Sequence, residues 1–531
     1  MRSISPTSDT AGPPSIKKQA SYLLLAKVAG FVFSLATPLL VVRILSVEDF
    51  GSYRQAFTLV TTLSSVLPFG LGTSAFYFLA RPFEERGPAV VNIVLLFGLT
   101  GAAAFVVLTA FPEFAGSIFG SAKITRLSPW VGLLTAVWIF ALFSDSVAFA
   151  NREPVIGAYF VIASQITRTL AVIVAALAFG TVLSILVASI IQAAVQSVVL
   201  LLYLGDRFPR FWRSFDASFL KVHIAYALPL GFSGLLWNVH ANLHFFVVGN
   251  RFNTAAFAIY AVGCFQLPLI GMLSESVNSV LIPRMTELQS ADDRGTMVEL
   301  LARASGKLAL IYLPVFAFFF ITAESVVALL FTEAYTASTP IFRTFLFLIP
   351  LGIVMSDSVV RVYTDLAKFL LKVRVASTVV LTVGLIAAAG TESLVAIVLT
   401  MVVIRYCESI VAEYGIFRRL GFRRTDLQKF ARVFKIAVST GAAAVCCTLV
   451  YTSLRSRVPE MLAGLQPAGG GNIPGELVQS LSMLVVLFAA GVTFAVPYLF
   501  LCFRFAGLAE DEVRLLTNLR ARAFSFVGRR K

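Results

Sequence analysis

Polar positions along this chain are sparse, and they fall in short clusters. Between the clusters lie fourteen apolar stretches, at 20–45, 53–80, 88–111, 129–150, 155–179, 181–204, 223–249, 255–283, 305–331, 340–366, 370–390, 392–417, 434–454 and 477–503. A helix rises 1.5 Å per residue, so about 20 apolar residues cover the hydrocarbon of a bilayer. The stretches show no in–out alternation of the kind a barrel strand needs, and their length suits helices, which satisfy every backbone group internally. The pattern predicts an all-α polytopic membrane protein with about 14 transmembrane helices. Pro68, Pro229, Pro268 and Pro350 lie inside stretches, as hinges or as packed kinks.

Composition sharpens this picture. Of 531 residues, 58% are hydrophobic and only 13% charged, against about 25% in soluble domains. Mean hydropathy is +0.87. The chain lacks the charge to coat a soluble fold of this size, which excludes a soluble enzyme, a disordered protein and a fibrous repeat. The connecting loops are too short for a catalytic domain. No nucleophile elbow, phosphate-binding glycine loop or Asp-x-Asp motif in a cytoplasmic loop is present, so the expectation is a non-enzyme without cofactor. The five cysteines (Cys264, Cys407, Cys446, Cys447 and Cys502) all sit in apolar runs, with neither metal-ligand spacing nor a disulfide framework. No short apolar core with a small-residue cleavage site follows the N-terminus, so a removable signal peptide is not expected.

The net charge is +15. In a membrane protein a basic excess marks topology before it marks nucleic acid, for which no soluble face exists here. Fourteen crossings put both ends on one side. With the ends in the cytoplasm, 31 of the 43 Lys and Arg residues fall inside, eight outside and four within spans. That asymmetry predicts a multi-pass protein of the cytoplasmic membrane with both termini cytoplasmic.

Two echoes suggest an internal repeat. Arg43–Tyr53 resembles Asn250–Tyr260, about 207 residues on, and Ser128-Pro129 returns as Thr339-Pro340, 211 residues on. Odd spans match odd spans, so the halves are expected to be parallel repeats related by a pseudo-two-fold axis along the membrane normal. The expected organisation is a cytoplasmic tail (1–18), a six-helix bundle (19–205), a second six-helix bundle (222–417), two added helices (434–503) and a basic cytoplasmic tail (504–531).

Charges at bilayer depth are costly and mark function or a structural partner. Lys27 lies in the first span, with Gly30, Ser34 and Pro38 following on a small, polar face. Arg168 sits near the middle of the fifth span, three residues after Gln165. Asp357, Arg361 and Asp365 are spaced by four in the tenth, and Arg405 and Glu408 by three in the twelfth, so each set lines a cavity or closes an intrahelical ion pair. Arg168, Lys27, Arg361 and Arg405 are the candidate substrate cations. Asp145, Glu275, Asp357, His240 and His244 are candidates for proton or sodium coupling. His240 and His244 share a helix face with no third ligand, so hydrogen bonding between helices or pH-sensitive gating fits them better than a metal.

Arg43, Leu45, Asp49, Phe50, Gly51 and Tyr53, followed by Phe69-Gly-Leu-Gly72, resemble the first two helices of the polysaccharide flippases of the multidrug/oligosaccharidyl-lipid/polysaccharide exporter superfamily. Ile259–Val262 with Leu281–Met285, and Leu330–Tyr335 with Ile341–Arg343, resemble later segments in the same order. Together they span roughly residues 20–420. The chain departs from the family at Thr332, where glycine is common, and at Asn242, near which members often carry a charge. The resemblance implies two six-helix bundles around a cation-lined cavity, often with two extra helices. It implies export of an undecaprenyl-diphosphate-linked oligosaccharide during surface polysaccharide biosynthesis, among membrane lipids and alongside other polysaccharide-assembly proteins. A peptidoglycan-precursor or multidrug exporter of the same superfamily, or a membrane-embedded polymerase, are the alternatives.

Overall fold

The computed structural model describes residues 30, 33, 35–79, 83–354, 356–463 and 475–506. Among them the fold is helical throughout, with no strand. The helices are α1 (Leu35–Ile44), α2 (Val47–Val66), α3 (Leu71–Phe78), α4 (Phe83–Ala110), α5 (Pro112–Phe119), α6 (Ala122–Ala150), α7 (Pro154–Phe179), α8 (Val182–Arg207) and α9 (Ala217–Arg251). They continue with α10 (Thr254–Gly263), α11 (Pro268–Ser290), α12 (Arg294–Phe331), α13 (Thr339–Leu346), α14 (Leu348–Leu351), α15 (Ser356–Val360), α16 (Thr364–Ala389), α17 (Leu394–Arg419), α18 (Ala431–Ala463) and α19 (Gly475–Leu501).

Local chemistry sets many of the ends. The side chains of Ser46, Ser121, Thr181, Asp216, Asp293 and Ser393 each accept a backbone N–H from the first turn of α2, α6, α8, α9, α12 and α17. Hydrogen bonds from the Ser218 and Thr296 hydroxyls hold the carboxyls of Asp216 and Asp293 below the usual carboxylate range. Pro112, Pro154 and Pro268 open α5, α7 and α11, where a missing N–H costs nothing. Gly120 and Gly180, both left-handed, close α5 and α7.

Among the described residues ten helices are long and apolar enough to cross a membrane, or eleven if the two parts of α9, bent by 42° around Pro229, form one span. The protein is a multi-pass membrane protein. The fourteen uninterrupted spans expected from hydropathy are not all found. The start of the first lies outside the described residues. The eighth splits into α10 and α11, because Pro268 begins a new helix instead of kinking an old one. The tenth breaks into α13, α14 and α15 around Pro350 and Gly352. The expected stripe Asp357–Arg361–Asp365 therefore does not run along one helix: Asp357 is in α15, Arg361 in the turn after it, and Asp365 in α16.

The chain divides into two compact units, Met1–Ala261 and Val262–Lys531. In the first, α6 is the hub, packed on α2, α3, α4, α5, α7 and α8, and α9 lies against α2, α3, α4 and α5. Its apolar core gathers Phe78, Leu79, Ile93, Phe143, Val147, Leu204 and Phe211. Three glycines let backbones meet there. A Cβ at Gly51 would fall 2.2 Å from the Thr254 carbonyl oxygen, one at Gly120 3.0 Å from that of Asn250, and one at Gly231 2.2 Å from the Phe69 carbonyl carbon. In the second unit, α18 and α19 pair with each other and against α12, and α16 pairs with α17. Ser325 bonds Tyr451 at 2.8 Å, and the Tyr498 hydroxyl donates to the Leu310 carbonyl at 2.6 Å. A second core joins Met285, Met297, Leu301, Val359, Tyr363 and Ile416.

Candidate functional site

In the first unit α1, α2, α6, α7 and α9 enclose a cavity of about 300 Å³. Arg168 enters it from the middle of α7, where it is half-buried. Its guanidinium lies over the Trp138 ring of α6, 4.2 Å from the centroid. Phe57 meets the same indole edge-on at 6.1 Å. The Arg168 Nε is buried without a hydrogen-bond partner. Among the described residues, no carboxylate closes a salt bridge with Arg168 and none lines the cavity. The other polar lining includes Gln165, Asn242, Thr58, Thr61 and Arg54. Two threonines fix the wall: the Thr37 and Thr169 hydroxyls are 3.0 Å apart, and Thr169 donates to the Phe33 carbonyl at 3.1 Å. Gly30, in the first apolar stretch, is buried with its Cβ direction 3.3 Å from Gln165, and Pro38 lines the cavity itself.

Asp145 of α6 is the acid that Arg168 feels electrostatically. It accepts from the hydroxyls of Ser144 and Ser164, both at 3.3 Å, and from the Gln196 amide at 3.4 Å. Asp145 and Arg168 thus act on each other through charge alone, and Asp145 does not line the cavity. His240 and His244 are buried on α9, and His244 Nδ1 pairs with the Tyr260 hydroxyl at 2.8 Å. Among the described residues no cluster of three His, Cys, Asp or Glu side chains has the arrangement of a metal site.

The remaining sequence candidates are elsewhere. Lys27 lies outside the described residues. Glu275 is exposed on α11, and Arg361 is exposed in its turn. Asp357 is placed only by its backbone in α15. Arg405 donates to Glu408 at 3.1 Å, closing the ion pair that their spacing allows. Glu408, almost fully buried, also takes Arg374 Nε at 2.5 Å and the Ser377 hydroxyl at 3.0 Å. Asp365 bonds Arg419 at 2.8 Å. Arg54, not among the sequence candidates, lines the cavity half-buried. Its place two turns into an apolar helix was the available signal.

A helical multi-pass protein whose cavity bears cations and, among the described residues, no lining acid is the class that these features define. The model of the family described as "Polysaccharide biosynthesis protein" matches residues 39–340, and the chain belongs to that family. No curated protein sequence matches it. Among solved structures it is similar to lipid II flippase MurJ in an inward closed conformation, with TM-score 0.62 and 14% identity, over 90% of this chain and 98% of that one. It is also similar to an inward-facing multidrug resistance MATE family transporter of the MOP superfamily, with TM-score 0.58 and 17% identity over 74% and 94%. A MOP superfamily transporter from Pyrococcus furiosus, whose title describes a binding pocket of reverse polarity, matches with TM-score 0.52 and 17% identity over 76% and 95%. The chain shares its fold with these structures, as the sequence motifs implied. These neighbours are transporters and a flippase, not enzymes.

Proposed function

We propose that this protein carries an undecaprenyl-diphosphate-linked oligosaccharide across the cytoplasmic membrane by alternating access, with both termini cytoplasmic. The family supplies polysaccharide biosynthesis, and the fold suits transport. The observation that carries the reading is Arg168: a half-buried guanidinium held by an aromatic ring, facing a cavity that no acid lines among the described residues. A diphosphate crossing hydrocarbon unaided loses hydration worth far more than any single contact returns. A guanidinium meets phosphate oxygens with paired, charge-assisted hydrogen bonds. Arg54 is the second cation of this cavity, and Lys27 is proposed to join them. Arg361 and Arg405 belong to the other unit and have no part in this cavity. Asp145, tied electrostatically to Arg168, is the proposed coupling acid, whether the ion is a proton or sodium.

Likeness to the lipid II flippase favours a peptidoglycan precursor as the second reading, since that ligand class shares the polyprenyl diphosphate. A cationic drug is disfavoured by the cations of the cavity. Reconstituted vesicles are expected to translocate fluorescent lipid-linked oligosaccharide, with Arg168→Ala at least tenfold slower at equal protein. Undiminished transport by that variant removes the diphosphate reading. Preference for lipid II in competition selects the second.

A further inference from the structure

A second cavity of the first unit, about 270 Å³, lies further along α2, at the break where α2 passes into α3. Its chemistry differs from that of the first. Ser64, Ser65, Thr73 and Ser146 line it, together with Phe76 and Phe97, and among the described residues no charged side chain does. The Ser65 and Ser146 hydroxyls donate to the Thr61 and Phe143 carbonyls and keep their acceptor positions. Ser64 is 3% exposed, and its Oγ has no hydrogen-bond partner. Thr73 and Ser65 are exposed, and Phe76 is 50% exposed. The break makes this space. Gly70, at φ +76°, turns the chain where helix geometry stops, and no side chain caps α3. The two cavities share helices α2 and α6: Thr61 lines the first, and Ser64 and Ser65, one turn on, line the second. From Phe57 to Pro68 the helix advances about 16 Å at 1.5 Å per residue, the scale of a diphosphate followed by one sugar ring.

We infer that this second cavity is a carbohydrate subsite that takes the first, uncharged sugar of the lipid-linked substrate while its diphosphate lies at Arg168. A hydroxyl both donates and accepts, so serine and threonine match a sugar whose own hydroxyls do the same. Aromatic faces cover the apolar side of a sugar ring and exclude water from it. The exposed Thr73 and Ser65 hydroxyls are the groups that a ligand hydroxyl can reach, and Ser64, whose Oγ is buried, adds to the polar wall. With no cation in the lining, a uronic acid ring loses hydration here without a counter-charge. The subsite thus selects neutral sugars, whereas the first cavity selects the anion. The inference rests on the proposed function of the Arg168 cavity.

Its test uses the full chain in detergent and three probes: a short polyprenyl diphosphate, the same lipid bearing one N-acetylhexosamine, and the same lipid bearing one hexuronic acid. Wild-type protein is expected to bind the hexosamine lipid at least tenfold more tightly than the bare diphosphate or the uronic acid lipid. The S64A/T73V double variant removes two hydroxyls with little change of volume, and Ser146→Leu fills the space. Each is expected to abolish the sugar-dependent gain while keeping wild-type affinity for the bare diphosphate, which also shows that the variant is folded. Arg168→Gln is expected to weaken all three probes. Equal wild-type affinity for bare and sugar-bearing lipid overturns the subsite, as does a gain that survives both cavity variants, or a loss that falls equally on bare and sugar-bearing lipid. If wild-type protein binds none of the probes, the Arg168 reading fails first and takes the subsite with it.

Discussion

Arg168 and Trp138 act as a pair. The indole face attracts the guanidinium and holds it in the cavity, an interaction worth roughly 1 kcal/mol, or about fivefold in affinity. Trp138→Leu is expected to weaken polyprenyl diphosphate binding by about that factor and Trp138→Phe by less, both read by titration in detergent. Thr332 presents a different residue-scale problem. It ends α12 with φ +76°, a region costly for a β-branched residue and free for glycine. Thr332→Gly is expected to raise the thermal unfolding midpoint, by the equivalent of about 1 kcal/mol. The departure from glycine at 332 was readable in sequence; the strained backbone that it implies was not. Arg168 and Asp145 were legible because lone charges stand out in apolar runs. Trp138 was not, because an aromatic residue in such a run looks like any other core side chain.

At the scale of elements, α16 and α17 are held by one buried acid. Glu408 neutralises Arg374 and Arg405, and removing it leaves two cations facing each other at low dielectric. Glu408→Ala is expected to destabilise the protein by about 3 kcal/mol, seen as a lower midpoint of thermal unfolding, with Glu408→Gln intermediate. The same spacing that allowed a substrate role for Arg405 also allowed this pair, and the partner from α16 was not readable from it. Where elements end was less legible than that they exist. Hydropathy averaged over a span passes straight through the break at Pro350 and Gly352, because the residues on both sides stay apolar. The breaks come from backbone chemistry that a hydropathy window does not weigh. In α9 the limiting group is a backbone: Gly231→Ala sets a methyl against the Phe69 carbonyl and is expected to lower the unfolding midpoint more than Gly234→Ala, which meets nothing within 4 Å.

For the whole molecule, sidedness is the property that the sequence states most directly. The proposed topology puts Lys123 outside and Arg210 inside. In a background lacking the native cysteines, Lys123→Cys is expected to react with an impermeant maleimide on intact cells, and Arg210→Cys only after permeabilisation. The reverse pattern inverts the topology. Membrane character, helical class and family all followed from patterns spread over hundreds of residues, which single errors do not disturb. The Arg168 cavity depends on a handful of side chains brought together from five helices, and no periodicity records that meeting.

The three glycine joints of the first unit have an asymmetric bearing on laboratory evolution. Every other residue type adds atoms where two backbones already touch at Gly51 and Gly231, so random variation there can loosen the packing but has no smaller residue with which to tighten it. Gains in robustness from directed selection should therefore accumulate at sites such as 332 and leave those two positions unchanged.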